Sequence, residues 1–172
     1  MKFLNVSLLG LRGKCHPLLN DITSAHEVKK LRCQLKMLCG DLYTFSTRAA
    51  QSGGSPHCRL CLAPVEDLTH VIFSCPELLE PRQSNTKNLE QFLVKSQSQD
   101  TMLLSSEEFI QLVSDEKLFT QFVVDPTSMN LPDIFRTNVN DVNLPQICSM
   151  TRNFCFSLNQ LRTKKLSLLE NK

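Results

Sequence analysis

Residues 56–76 read PHCRLCLAPVEDLTHVIFSCP, and within them Cys58, Cys61, His70 and Cys75 stand as C-x2-C-x8-H-x4-C. The short gap of the first pair lets one tight turn aim two sulfurs at a single point. The gap of the second pair falls in the range of about three to five residues that separates the last two ligands of zinc fingers. Three soft thiolates and one imidazole form the donor set of a closed, four-coordinate structural zinc site. Coincidental burial of three cysteines and a core histidine is the plain alternative, but four ligands of compatible spacing within 18 residues weigh against it. A redox C-x-x-C would need a strand and an electropositive helix start before it, and the preceding Gln51-Ser52-Gly53-Gly54-Ser55-Pro56 is a turn-rich linker. Such a site carries a net charge of about −1 and keeps no open position for an activated water, so one structural Zn2+ is expected. His57 adjoins Cys58 and points away from it, as neighbouring residues do; it is read as an exposed bystander.

The remaining cysteines, Cys15, Cys33, Cys39, Cys148 and Cys155, are odd in number and lie mostly in apolar stretches. Free cysteine there behaves as a small buried hydrophobe, which argues against a disulfide framework and for a reducing compartment. The opening MKFLNVSLLGLRGK has the outline of a signal peptide, but Asn5 and Ser7 interrupt its apolar run. Arg12 and Lys14 then stand where a small-residue cleavage site belongs. The chain is therefore expected to be intracellular and not secreted. No apolar run approaches the length of a membrane helix, so no membrane partner is expected. The net charge of +2 is unevenly spread. Residues 1–48 carry eight basic and three acidic groups, residues 76–142 five basic and eleven acidic, and residues 143–172 five basic and one acidic. Basic ends around an acidic middle suit nucleic-acid contact at those ends, and ordinary solvated helix faces produce the same pattern.

Ser24-Ala25-His26-Glu27 reads as a capping box. Val28, Leu31, Leu35 and Leu38 then recur at helical spacing, and Gly40 supplies a left-handed cap. A helix over 25–39 follows, with Lys29, Lys30, Arg32 and Lys36 largely off its apolar stripe. A second short helix is predicted over 41–48, with Tyr43 and Phe45 as packing groups. Asp67 caps a helix from Leu68 to Phe73. Cys75 lies five residues beyond His70, off the same face of a straight helix. Pro76 answers this, because the residue before proline is pushed out of helical geometry, and a new helix can start with Pro76 in its first turn. Residues 77–95 are predicted helical, with Leu78, Leu79, Leu89, Phe92, Leu93 and Val94 as core and with Pro81 and Ser84-Asn85 as breaks. A polar linker over 96–101 follows. Ser105 or Ser106 caps a helix through Leu112, and another runs from Glu116 to Val123 before Asp125-Pro126. Residues 126–142 read as irregular. The last helix starts near Pro145, packs Ile147, Met150, Phe154, Leu158 and Leu161, and ends in a basic tail of Arg162, Lys164 and Lys165. The carboxylate pairs Glu66-Asp67, Glu107-Glu108 and Asp115-Glu116 all fall at helix starts, where capping is their expected role.

These elements predict a mostly α chain with negligible sheet: a basic helical segment over 1–50, a CCHC segment over 51–80 and a helical region over 81–172. No phosphate-cradling glycine loop, G-x-S-x-G or H-E-x-x-H occurs, so neither an enzyme nor a small-molecule binder is expected.

The run EVKKLRCQLKMLCGDLYTFSTRAAQSGGSPHCRLCLAPVEDLTHVIFSCP resembles the region that follows the polymerase domain in non-LTR (LINE-type) retrotransposon reverse transcriptases. In that family a basic helix ending in leucine-x-glycine precedes a tyrosine and an arginine, here Leu38, Gly40, Tyr43 and Arg48. A C-C-H-C segment follows, with an acidic residue before the histidine and a proline after the last cysteine, here Glu66 and Pro76. The likeness covers residues 25–80, and more loosely His16-Pro17 and the tail segments DPTSMNLP (125–132) and LPQICSMTRNFCFSLNQLR (144–162). The aspartate pair of the polymerase and the acidic and histidine set of the endonuclease have no counterpart, and Met1 stands just before the similar region. The chain thus resembles the C-terminal remnant of such a polyprotein, or a domesticated fragment, without its catalytic activity. The resemblance implies binding of template RNA or target DNA in a nuclear setting. Lys29, Lys30, Arg32, Lys36, Arg48 and Arg59 are the candidate contacts. A zinc-stapled helical protein-interaction domain, and an inactive relic, are the alternatives.

Overall fold

The computed structural model describes residues 17–19, 22–42, 44–94, 103–127 and 143–171. Tyr43, Cys15, His16, the linker over 96–101 and residues 128–142 of the stretch read as irregular lie outside these. Six α-helices are described: α1 (Ala25–Leu38), α2 (Phe45–Ser52), α3 (Leu79–Leu93), α4 (Ser106–Ser114), α5 (Glu116–Val124) and α6 (Leu144–Glu170). A π-turn (His70–Ser74) and a 3-10 turn (Pro76–Leu78) join the metal segment to α3, and a further 3-10 turn covers Pro17–Leu19. No strand occurs among the described residues, so the chain is mostly α as its periodicity predicts.

The 27-residue α6 organises the fold. At about 1.5 Å per residue it runs some 40 Å, and α1, α3 and α5 all pack along it. Ile147, Cys148, Phe154, Cys155 and Leu158 on α6 are fully buried. They share one hydrophobic cluster with Leu31 and Met37 of α1, Leu89 and Leu93 of α3, and Phe119, Phe122 and Val123 of α5. Cys58, Val71, Ile72, Cys75 and Leu78 belong to the same cluster, so the metal segment is part of this core. Phe119 takes Phe73 and Phe154 edge-on, with ring centroids 6.2 and 5.6 Å away. Among the described residues no helix is long and apolar enough to cross a membrane.

Local chemistry accounts for most boundaries. The Ser24 hydroxyl accepts from the Glu27 amide at 3.2 Å, and Gly40 takes φ 72° after α1. Ser105 and Glu108 complete a reciprocal capping box, and Asp115 accepts from the amides of Lys117 and Leu118. Cys33, Cys148 and Cys155 are buried free thiols, Cys39 is half-buried, and Cys155 donates to the Val123 carbonyl.

Several sequence expectations need correction. Glu27 does not close a box with Ser24; its carboxylate meets Lys30 at 2.6 Å and Arg152 at 3.7 Å instead. Glu27 is thereby drawn inward, and Gln34 fills a fully buried place, donating to the Val123 carbonyl and the Thr151 hydroxyl. The inner face of α1 is rotated accordingly, and Val28 is left 51% exposed. Helix α2 starts at Phe45, later than expected, and runs through Ser52 into the predicted linker, where Gly53 at φ 72° ends it. Helix α3 is unbroken: Pro81 sits in its first turn, where no intrahelical amide is required, and Asn85 binds the Pro81 carbonyl and Ser157 of α6. Leu79, taken as core, is 47% exposed. Arg162 is no part of a basic tail; it is buried, and α6 continues past Lys164 and Lys165.

Candidate metal centre

The knuckle forms because the backbone closes on itself around Cys58. Leu62 donates to the Cys58 carbonyl at 2.8 Å, and Cys58 donates to Ala63 at 2.9 Å. That tight return forces Leu62 to φ 63°, a left-handed conformation that costs a non-glycine residue on the order of 1 kcal/mol. Its side chain, 80% exposed, recovers nothing by packing.

The second ligand pair is set by a different device. Asp67 caps the turn, its carboxylate accepting from the His70 amide at 2.7 Å. The chain then widens over His70–Ser74, and the Cys75 amide reaches the His70 carbonyl five residues back at 2.8 Å. Widening returns residue i+5 toward residue i, which an α-helix does not do. Cys75 itself is extended (φ −63°, ψ 115°) before Pro76, as the proline requires. Proline and π-turn together bring Cys75 beside His70; only the proline was readable in advance.

One ligand atom from each of Cys58, Cys61, His70 and Cys75 lies within 4.8 Å of every other. Two thiolates bonded at about 2.3 Å to a tetrahedral ion stand roughly 3.8 Å apart, so the four atoms fit one shell. They could hold a single metal ion. The His70 Nε2 faces Cys61 Sγ at 3.3 Å, and its Nδ1 lies 3.3 Å from Ser74 Oγ. A partner on the outer nitrogen fixes the ring and leaves the inner lone pair for a metal. Cys58 and Cys75 are buried, and Cys61 and His70 half-buried. Burial raises the Cys58 thiol above its ordinary value and pushes Cys75 up to about 12.

Behind the ligands stands a polar layer that sequence reasoning missed. Glu66, expected to cap a helix, is 1% exposed and receives a two-pronged ion pair from Arg162 of α6, Nε to Oε1 at 3.0 Å and Nη2 to Oε2 at 2.8 Å. Oε2 also accepts from the Phe45 amide at 2.8 Å, and Oε1 lies 3.7 Å from Cys58 Sγ. Arg82 of α3 donates to the carbonyls of Ile72 and Cys75, both at 2.8 Å. Its pKa is lowered by burial, which the nearby Cys75 sulfur opposes. A readable signal for Arg162 did exist: it continues the Phe154–Leu158 stripe at i+4, on the inward face of α6.

The basic candidates divide into two groups. Lys29, Arg32 and Lys36 form an exposed row at i, i+3 and i+7 along the outside of α1, whereas Lys30 is half-buried against Glu27. Arg48 and Arg59, both exposed, line a pocket of about 360 Å³ between α2 and the knuckle. The Arg59 guanidinium lies 5.0 Å over the Phe45 ring and 3.9 Å from Glu170. On α6, Arg152 is buried, its guanidinium donating to the Leu18 carbonyl, and Lys165 pairs with Glu77 at 2.8 Å. The basic groups of the last helix are thus mostly engaged within the fold. Compared with known proteins, the chain matches no family model, no curated protein and no solved structure.

Proposed function

We propose that the chain is a non-catalytic, zinc-stabilised nucleic-acid-binding module that acts in the nucleus. The observation that carries the reading is the exposed row Lys29, Arg32 and Lys36 on α1, repeating at the pitch of one helix face. Such a row can follow a phosphate backbone and release its counterions. The resemblance of residues 25–80 to the post-polymerase region of non-LTR reverse transcriptases supports RNA or DNA as the partner, and supports the nuclear setting. Three thiolates and an imidazole favour Zn2+ over harder ions. Four protein ligands close its shell, which suits a structural ion and leaves no place for an activated water.

Charge reversal of Lys29, Arg32 and Lys36 together tests the reading. Binding to labelled RNA and DNA strands should weaken by about tenfold or more at low salt, with little sequence preference and a shallower salt dependence. Wild-type protein that binds neither strand nor duplex at low salt would instead leave the protein-interaction alternative.

Zinc affinity should also fall with acidification. The buried Cys58 and Cys75 thiols keep their protons at neutral pH, since burial raises both above the ordinary value. A metal must displace them, so affinity in a chelator competition should drop by about two decades or more per pH unit between pH 8 and 6. A flat profile would contradict thiolate ligation.

A further inference from the structure

We infer that the pocket between α2 and the knuckle is a subsite for one nucleotide of a single strand, with Arg48 and Arg59 on its phosphates and Leu62 against its base. This rests on the nucleic-acid reading above and adds where, and in what form, the nucleic acid binds. The pocket encloses about 360 Å³, within the range of small-ligand sites and suited to a single nucleotide. Its lining has a one-sided charge: Arg48 and Arg59 contribute cations, and no acidic side chain lines it among the described residues. The larger groove of about 690 Å³ beside α5 differs, since Asp41 and Asp67 offset Lys117 there.

The Arg59 side of this wall is held in place. Arg59 stacks over Phe45, and the buried Arg162 lies 5.8 Å from the same ring. Glu170 reaches Arg59 only at 3.9 Å, from an exposed position, and a phosphate can replace it. Gly53 and Gly54 line the same pocket, and a side chain added at either would meet no atom within 4 Å, so the backbone there is open to a ligand. His57, hydrogen-bonded through Nδ1 to the Ser55 hydroxyl, lines this pocket and is not one of the four clustered ligand candidates.

Leu62 decides between single strand and duplex. It is an apolar side chain, 80% exposed, held on the pocket's edge by a left-handed backbone. A duplex presents phosphates outward and hides its base faces, which leaves such a side chain nothing to cover. An unpaired nucleotide offers the exposed flat face of its base next to its phosphate, which fits Leu62 beside Arg48 and Arg59.

The test measures anisotropy of labelled dT12, rU12 and a 12-base-pair duplex with the zinc-loaded full chain at 50 and 200 mM salt. Leu62→Gly removes the apolar wall and suits the left-handed backbone, so it keeps the fold. It should weaken single-strand binding about fivefold while leaving weak duplex binding unchanged. Arg48→Ala/Arg59→Ala should weaken it about tenfold and reduce the salt slope by about 1.4, two phosphate contacts on a single strand. Zinc content and circular dichroism verify that each variant is folded. Wild-type-like single-strand binding by both folded variants, or duplex bound as tightly as dT12 and rU12, overturns the subsite and leaves the module reading standing. Absence of all binding by wild-type protein overturns both.

Discussion

Cys75→Ser protein will carry no zinc and will lose most of its helix, not merely the order of residues 56–78. Ordering a segment of some twenty residues costs on the order of 20 kcal/mol. Burying Val71, Ile72 and Leu78 contributes less than about 9 kcal/mol toward that. A structural zinc would supply about 10 kcal/mol or more, so on the zinc reading proposed above the segment depends on its metal. The loss does not stay local. Cys58, Val71, Ile72, Cys75 and Leu78 share one buried cluster with the inner faces of α1, α3, α5 and α6. Arg162 would lose Glu66, and Arg82 would lose the Ile72 and Cys75 carbonyls. A domain stable by about 5–15 kcal/mol cannot absorb this. With no tryptophan in the chain, far-ultraviolet circular dichroism is the suitable measure, beside elemental analysis of zinc. Wild-type protein stripped by a chelator should behave like Cys75→Ser, and Cys39→Ser, a half-buried cysteine outside the site, should behave like wild type. An unchanged melting curve after zinc removal would refute the structural role.

What could be read from the chain was whatever local chemistry decides. The C-x2-C-x8-H-x4-C spacing picked out the four side chains that the fold gathers into one cluster, and Ser24, Asp67, Ser105 and Asp115 cap turns as their short polar side chains suggest. Failures occurred where a distant partner overrides the local preference. Glu66 looks like one more helix-start acid beside Asp67, but Arg162, 96 positions away, makes it an internal ion. Glu27 breaks its expected box because Lys30 and Arg152 compete for its carboxylate. That competition rotates α1 enough to expose Val28 and to half-bury Lys30. The π-turn at His70–Ser74 has no composition signal of its own. It is the backbone that results when Asp67 holds one end of the segment and Pro76 releases the other.

The Glu66–Arg162 pair will show strong coupling in a double-mutant cycle. Arg162→Met leaves a carboxylate 1% exposed without a counter-ion and 3.7 Å from Cys58 Sγ. Breaking a buried pair from one side typically costs about 3–5 kcal/mol. Glu66→Gln instead removes the carboxylate facing the guanidinium, but its amide oxygen can still accept from Phe45, so its cost should lie at the lower end of that range. The double variant Glu66→Gln/Arg162→Met removes both charges and keeps the volume. It should be more stable than either single, and the departure of its effect from the sum of the two singles should be about 2 kcal/mol or more, read from urea unfolding. A bound zinc would sharpen the contrast. Three thiolates around Zn2+ leave about one negative charge, and an unpaired Glu66 would face it at close range. Arg162→Met should therefore lose zinc affinity as well as stability, whereas the double variant, neutral at both positions, should recover most of the affinity. Singles whose effects simply add, or equal zinc affinity in all four proteins, would show that the pair does not support the metal site.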